Sequence, residues 1–133
     1  MHTPPLVLLA DDESEILDIY SLALQQAGLD VATVSNGEEC VKLANERQPD
    51  LILLDMKMPI LDGAEALHRL KEDPKTKNIK VVFLTAFSDP KLPEVDVAFA
   101  KEVGAIDFIR KGIALDQLVN RVKGYIELPS PQG

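Results

Sequence analysis

The feature that most constrains this chain is a set of short apolar runs without polar alternation: Leu6-Val7-Leu8-Leu9-Ala10, Leu51-Ile52-Leu53-Leu54 and Val81-Val82-Phe83-Leu84. A strand with one face in water alternates apolar and polar residues, so a run apolar at every position needs cover on both sides. Two further segments bring the predicted strands to five, at residues 6–10, 30–34, 51–54, 80–84 and 106–109. Helix-period segments lie between them, and strand–helix alternation of this kind builds a parallel sheet with helices on its faces.

Helix signals come with caps. Ser14 precedes a segment in which Ile16, Tyr20, Ala23, Leu24 and Ala27 share one face, and Gly28 supplies a left-handed stop. Asn36 is positioned to cap a helix carrying Cys40, Val41 and Ala44, and Asp62 one carrying Ala66, Leu67 and Leu70. A fourth helix is expected over 94–103, ended by Gly104, and a fifth takes its stripe from Leu115, Leu118, Val119, Val122 and Ile126. The expected domain is 1–128, with the Pro- and Gly-rich residues 129–133 as a frayed tail or the start of a linker.

Composition narrows the function classes. At 133 residues and 46% hydrophobic side chains there is room for one domain with a true core. Fourteen basic against 22 acidic residues leave a net charge of −8, which argues against nucleic acid or an anionic membrane as a partner of this chain. One cysteine, Cys40, cannot form an internal disulfide, and His2 and His68 have no ligand partners at zinc spacing, so a reducing cytoplasm is expected. The N-terminal residues Met1-His2-Thr3-Pro4-Pro5 lack a basic region with an apolar signal core, and no apolar run reaches the ~18 residues of a membrane span.

Ligands of open parallel sheets bind outside the carboxyl ends of the strands. The residues there form a chemical set. The first predicted strand runs into Asp11-Asp12-Glu13, the third into Asp55, the fourth into Thr85-Ala86, and the fifth leads to Lys111. Unit charges at 4 Å interact by ~4 kcal/mol at an effective dielectric of 20, so Asp11, Asp12 and Asp55 brought together need a counter-charge. Mg²⁺ supplies one, because it takes oxygen ligands and bridges carboxylates to phosphoryl groups. With the metal on Asp11 and Asp12, Asp55 is left as an oxygen nucleophile of the kind that forms aspartyl phosphates. Thr85 can donate to a phosphoryl oxygen, and Lys111 can place positive charge beside another.

Four segments in order, Leu8-Leu9-Ala10-Asp11-Asp12-Glu13, Leu53-Leu54-Asp55-Met56-Lys57-Met58-Pro59 with Asp62-Gly63, Phe83-Leu84-Thr85-Ala86, and Gly104-Ala105 to Phe108 and Lys111, resemble the receiver domain of two-component response regulators. The resemblance covers roughly residues 6–127 and extends to the single-domain chemotaxis regulator that typifies the group. It implies an α/β fold, a flavodoxin-like doubly wound five-stranded parallel sheet of order 2-1-3-4-5 with five helices, in which 1–128 is the receiver (phosphoacceptor) domain. It implies Mg²⁺ on Asp12 directly, on Asp11 largely through water, on Asp55, and on the backbone carbonyl of Lys57. Asp55 becomes the acceptor of a phosphoryl group from a phosphohistidine, Lys111 pairs with that group, and Thr85 and Phe108 move together as a switch. The partners implied are a sensor histidine kinase or phosphotransfer protein, a downstream protein or output domain, and a second copy through the face of the fourth and fifth helices.

Two other classes share parts of this pattern. A haloacid-dehalogenase-like phosphatase also uses a strand-end aspartate, but requires a second one two residues on, where this chain has Lys57. A flavodoxin-like cofactor domain would need glycines or hydroxyls in the first strand-to-helix turn, where Asp11-Asp12-Glu13 stands. Two departures from the receiver pattern carry expectations of their own. The stretch 86–103 is longer than usual and holds Pro90 and Pro93, so its loop is expected to be reshaped; within it Phe87, with Lys57, is expected to flank the path of a water attacking the acyl phosphate. Lys111 is followed by Gly112 where the family has a cis proline, and a cis bond without proline costs ~2.5–4 kcal/mol, so a trans bond and a mobile loop are expected, with Lys111 reaching Asp55 by another route or only after phosphorylation.

Overall fold

All five predicted strands form in the computed structural model, which describes residues 2–85 and 103–129. They are β1 (Leu6–Ala10), β2 (Asp30–Val34), β3 (Leu51–Asp55), β4 (Val81–Thr85) and β5 (Asp107–Arg110). Every pairing is parallel and the order is β2-β1-β3-β4-β5, the flavodoxin-like doubly wound arrangement. Four helices lie among the described residues: α1 (Ser14–Gln26), α2 (Gly37–Arg47), α3 (Gly63–Glu72) and α4 (Leu115–Glu127). The helix expected over 94–103 lies outside the described residues apart from Val103, as do Phe87, Pro90 and Pro93.

The two sheet faces have separate cores. Leu8, Ala10, Ile52, Leu54, Val81 and Phe83 point to the side covered by α2 and α3, against Cys40, Ala44, Ala66, Leu67 and Leu70. Val7, Leu9, Leu51, Leu53, Val82, Leu84 and Ile109 point to the other side, against Tyr20 and Leu24 of α1 and Leu118, Val122, Tyr125 and Ile126 of α4. This is the physical content of the unbroken apolar runs. Successive side chains of one strand enter opposite cores, each fully buried aliphatic stabilising by about 1.5–3 kcal/mol.

Several local expectations shift. β3 includes Asp55, and β4 and β5 start and end one residue later than the apolar pattern indicates, because the ladder pairs Asp55 with Leu84 and Thr85 with Arg110. Backbone pairing is indifferent to whether a side chain is polar. Asn36 and Asp62 cap as expected, accepting from the N–H of Glu39 and Glu65. Ser14, by contrast, is already the first residue of α1, and Glu13 precedes it with no side-chain cap. Cys40, on the helix capped by Asn36, is fully buried, and burial pushes its thiol up to about 12. Leu115, expected on the apolar stripe of the last helix, is exposed, and Tyr125 takes a buried place there instead. No helix among the described residues is long and apolar enough to cross a membrane.

Candidate functional site

Parallel register brings the strand ends to one edge. Asp11 directly follows β1, Asp55 closes β3, Thr85 closes β4, and Lys111 follows β5, its N–H donating to the Thr85 carbonyl at 2.8 Å. The floor of the edge is set by a close approach: at Gly63, the first residue of α3, a Cβ would stand 2.3 Å from the Asp55 carbonyl oxygen. Only glycine lets that helix end sit against the end of β3.

Carboxylate oxygens of Asp11, Asp12 and Asp55 all lie within 4.8 Å of one another. Asp11 and Asp55 are buried while Asp12 is exposed, so the cluster opens to solvent on the Asp12 side. The Lys111 ammonium sits among these groups, 2.8 Å from Asp11 Oδ2, 2.9 Å from Glu13 Oε1 and 3.3 Å from Asp55 Oδ1. The other Asp11 oxygen, Oδ1, accepts from the Glu13 N–H at 2.9 Å. Burial by itself would lower the pKa of Lys111, but the Asp11 and Glu13 carboxylates, with Asp55 behind them, outweigh it and hold the ammonium above its ordinary value. Asp55 moves the opposite way from a usual paired carboxylate. Burial and then the Asp11 charge push it up to about 7, against the pull of Lys111.

Four carboxylates, those of Asp11, Asp12, Glu13 and Asp55, surround one ammonium at this edge. The donor set is all oxygen, clustered, partly open and short of positive charge, which fits a hard divalent cation such as Mg²⁺. The Thr85 hydroxyl adds a second sign of an incomplete site: it is buried and has no hydrogen-bond partner among the described residues.

The Lys111–Gly112 bond is trans, as the missing proline predicted, and Gly112 has φ +95°. Lys111 does not wait for phosphorylation to reach Asp55, since the ammonium is already 3.3 Å from its Oδ1. A positive φ at Gly112, open to glycine and closed to proline, turns the chain there.

The receiver family model, described as the response regulator receiver domain, matches residues 7–123. The chain belongs to this family. As a receiver domain it is 35% identical over 125 residues to the phosphate regulon transcriptional regulatory protein PhoB of Pseudomonas aeruginosa, covering 94% of this chain and 53% of that protein. It spans about half the length of the curated relatives it matches. A crystal structure from Chloroflexus aurantiacus superposes with a TM-score of 0.84 at 30% identity, over 94% of this chain and 99% of that one. The receiver domain of the Francisella response regulator 1452 does so with 0.79 at 28%, over 92% and 97%. The phosphatase and flavodoxin-type alternatives find no support.

Of the residues singled out by sequence, Asp11, Asp12, Asp55, Thr85 and Lys111 gather at this edge. Lys57 is exposed on the loop after β3, its N–H 3.4 Å from Asp55 Oδ1. Phe108 is half-buried against the core under α2 and α3, with the Arg110 guanidinium 5.7 Å from its ring centroid. Two residues of the receiver site went unassigned in the sequence. Glu13 was visible as the third acid of the first turn, without a role. Tyr20 belongs to the apolar stripe of α1 by its spacing, yet its buried hydroxyl, without a hydrogen-bond partner among the described residues, lies toward the Gly112 N–H and the Lys111 charge; burial raises its pKa while the Gly112 N–H pulls it back.

Proposed function

We propose that this receiver domain accepts a phosphoryl group on Asp55 from the phosphohistidine of a sensor histidine kinase or phosphotransfer protein. An Asp55 carboxylate oxygen attacks phosphorus, the P–N bond breaks, and its electron pair leaves with the imidazole, which takes up a proton. Asp11, Asp12 and Asp55, with the Lys57 carbonyl, would hold Mg²⁺. That ion would supply charge stabilisation for the phosphoryl oxygens. Lys111 would pair with one phosphoryl oxygen, and the Thr85 hydroxyl would donate to another. Movement of Thr85 toward the new group would vacate space for Phe108, making the pair a switch read by a downstream protein or output domain. The same groups would govern return to the resting state, with Lys57 and Phe87 flanking the attacking water.

One observation carries the reading. Asp55 is a buried member of a partly open acidic cluster, 3.3 Å from the Lys111 ammonium and at the same sheet edge as a Thr85 hydroxyl that has no partner among the described residues, and a phosphoryl group with its cation would satisfy all three together. The acting unit would be residues 1–128, working in the cytoplasm, and self-association would use α4 together with the segment 94–103. Labelling with acetyl phosphate in Mg²⁺ tests the reading. Wild-type protein should label and Asp55→Asn should not; equal labelling of the two would remove Asp55 from the acceptor position.

A further inference from the structure

In the resting protein Asp11 Oδ1 accepts from the Glu13 N–H, and Oδ2 forms an ion pair with the Lys111 ammonium at 2.8 Å. A divalent cation drawn to the cluster therefore meets an ammonium already seated on one of its carboxylates. Two cations on the same oxygens repel, and buried Lys111 cannot swing freely into solvent. Of its three carboxylate partners, Glu13 alone lies outside the Asp11, Asp12 and Asp55 group. The Glu13 side chain is 59% exposed, so it can follow the ammonium, while its backbone is tied to the site through Asp11.

We infer that Glu13 is a positioning residue that holds the Lys111 ammonium at the rim when the divalent cation enters, and so sets the affinity of the acidic cluster for that cation. The inference rests on the phosphoacceptor reading, in which the cluster takes Mg²⁺. Without the Glu13 carboxylate, the carboxylates left to the ammonium among the described residues are the cation's own ligands, and it opposes entry. Glu13 thus acts through Lys111, not as a ligand.

Titration with Mg²⁺ alone, followed through the backbone amide NMR shifts around Asp12 and Asp55, tests this in four proteins: wild type, Glu13→Gln, Lys111→Met and the double variant. Glu13→Gln should weaken Mg²⁺ binding about three- to five-fold, the scale of a partly exposed ion pair. In the Lys111→Met background the same change should shift affinity by less than about two-fold. No effect in the wild-type background, or an equal loss in both, overturns the inference. Wild-type protein that binds no Mg²⁺ overturns the phosphoacceptor reading itself, a different result. A crystal structure of the wild-type protein with Mg²⁺ gives a check independent of the variants. Lys111 should remain at ion-pair distance from Glu13 and leave Asp11 Oδ2; retention of the Asp11 contact, or departure from Glu13, counts against the proposal.

Discussion

The two edges of the sheet each hold a buried lysine, and the two are satisfied in opposite ways. At the amino edge, Lys80 before β4 donates to three carbonyls at the end of α4, those of Tyr125 at 2.8 Å, Ile126 at 2.7 Å and Leu128 at 2.7 Å. These are groups a helix end leaves without partners, so the ammonium completes the helix and ties it to the sheet. Around it, Asp50 accepts from the Leu6 N–H, and the His2 ring contacts the Arg47 and Gln48 carbonyls at the end of α2. At the carboxyl edge, Lys111 faces three carboxylates that still outnumber it. Two threonines repeat the contrast. Both are buried, but the Thr76 hydroxyl donates to the Leu70 carbonyl at 2.7 Å, whereas the Thr85 hydroxyl has no partner among the described residues. At the amino edge the buried ammonium and hydroxyl are paired with carbonyls; at the carboxyl edge carboxylates outnumber the one ammonium.

The largest expected effect lies at the amino edge. Lys80→Met should destabilise the protein by about 3 kcal/mol in urea denaturation, because three helix-end carbonyls lose a charged donor together. Acetyl phosphate labelling should persist. A loss below about 1 kcal/mol would mean that water replaces the lysine.

Next comes Asp55→Asn, which should stabilise the metal-free protein. The native carboxyl titrates at about 7, above its unfolded value near ~4. The native state therefore binds the proton more tightly. Its penalty for ionisation is absent below pH ~4, grows as pH rises toward 7, and is complete above that. Asparagine removes it, so the gain at pH 8 should be on the order of 1–3 kcal/mol and should vanish at pH 4. Thermal melts at the two pH values decide the matter; a destabilised variant at pH 8 would show that the Lys111 pair outweighs burial and repulsion.

The smallest effect sharpens the comparison most directly. Thr76→Val should cost about 1 kcal/mol, since it leaves the Leu70 carbonyl without its donor, while Thr85→Val should be neutral or stabilising by up to about 1 kcal/mol. Equal losses in the two valine variants, measured by the same denaturation, would show that the Thr85 hydroxyl has a partner after all.

Features that depend on short-range pattern can be read directly along the chain. Unbroken apolar runs at 6–10 and 51–54 require cover on both faces, and the caps Asn36 and Asp62 act within three residues of themselves, so strands, most helices and the acidic strand ends were legible. The family motifs then assembled Asp11, Asp12, Asp55, Thr85 and Lys111 into one candidate site. Tertiary structure alone decided which polar groups are satisfied. Lys80 and Leu128 are 48 residues apart, and Lys111 and Glu13 are 98 apart. Strand order along the chain places Lys80 before a strand and Lys111 after one, but it does not show that the first will meet helix-end carbonyls and the second Glu13. The difference arises when parallel register carries one to the amino edge, where helix carbonyls end, and the other to the carboxyl edge, where the acids are. Burial then removes the water that would otherwise make the two environments alike.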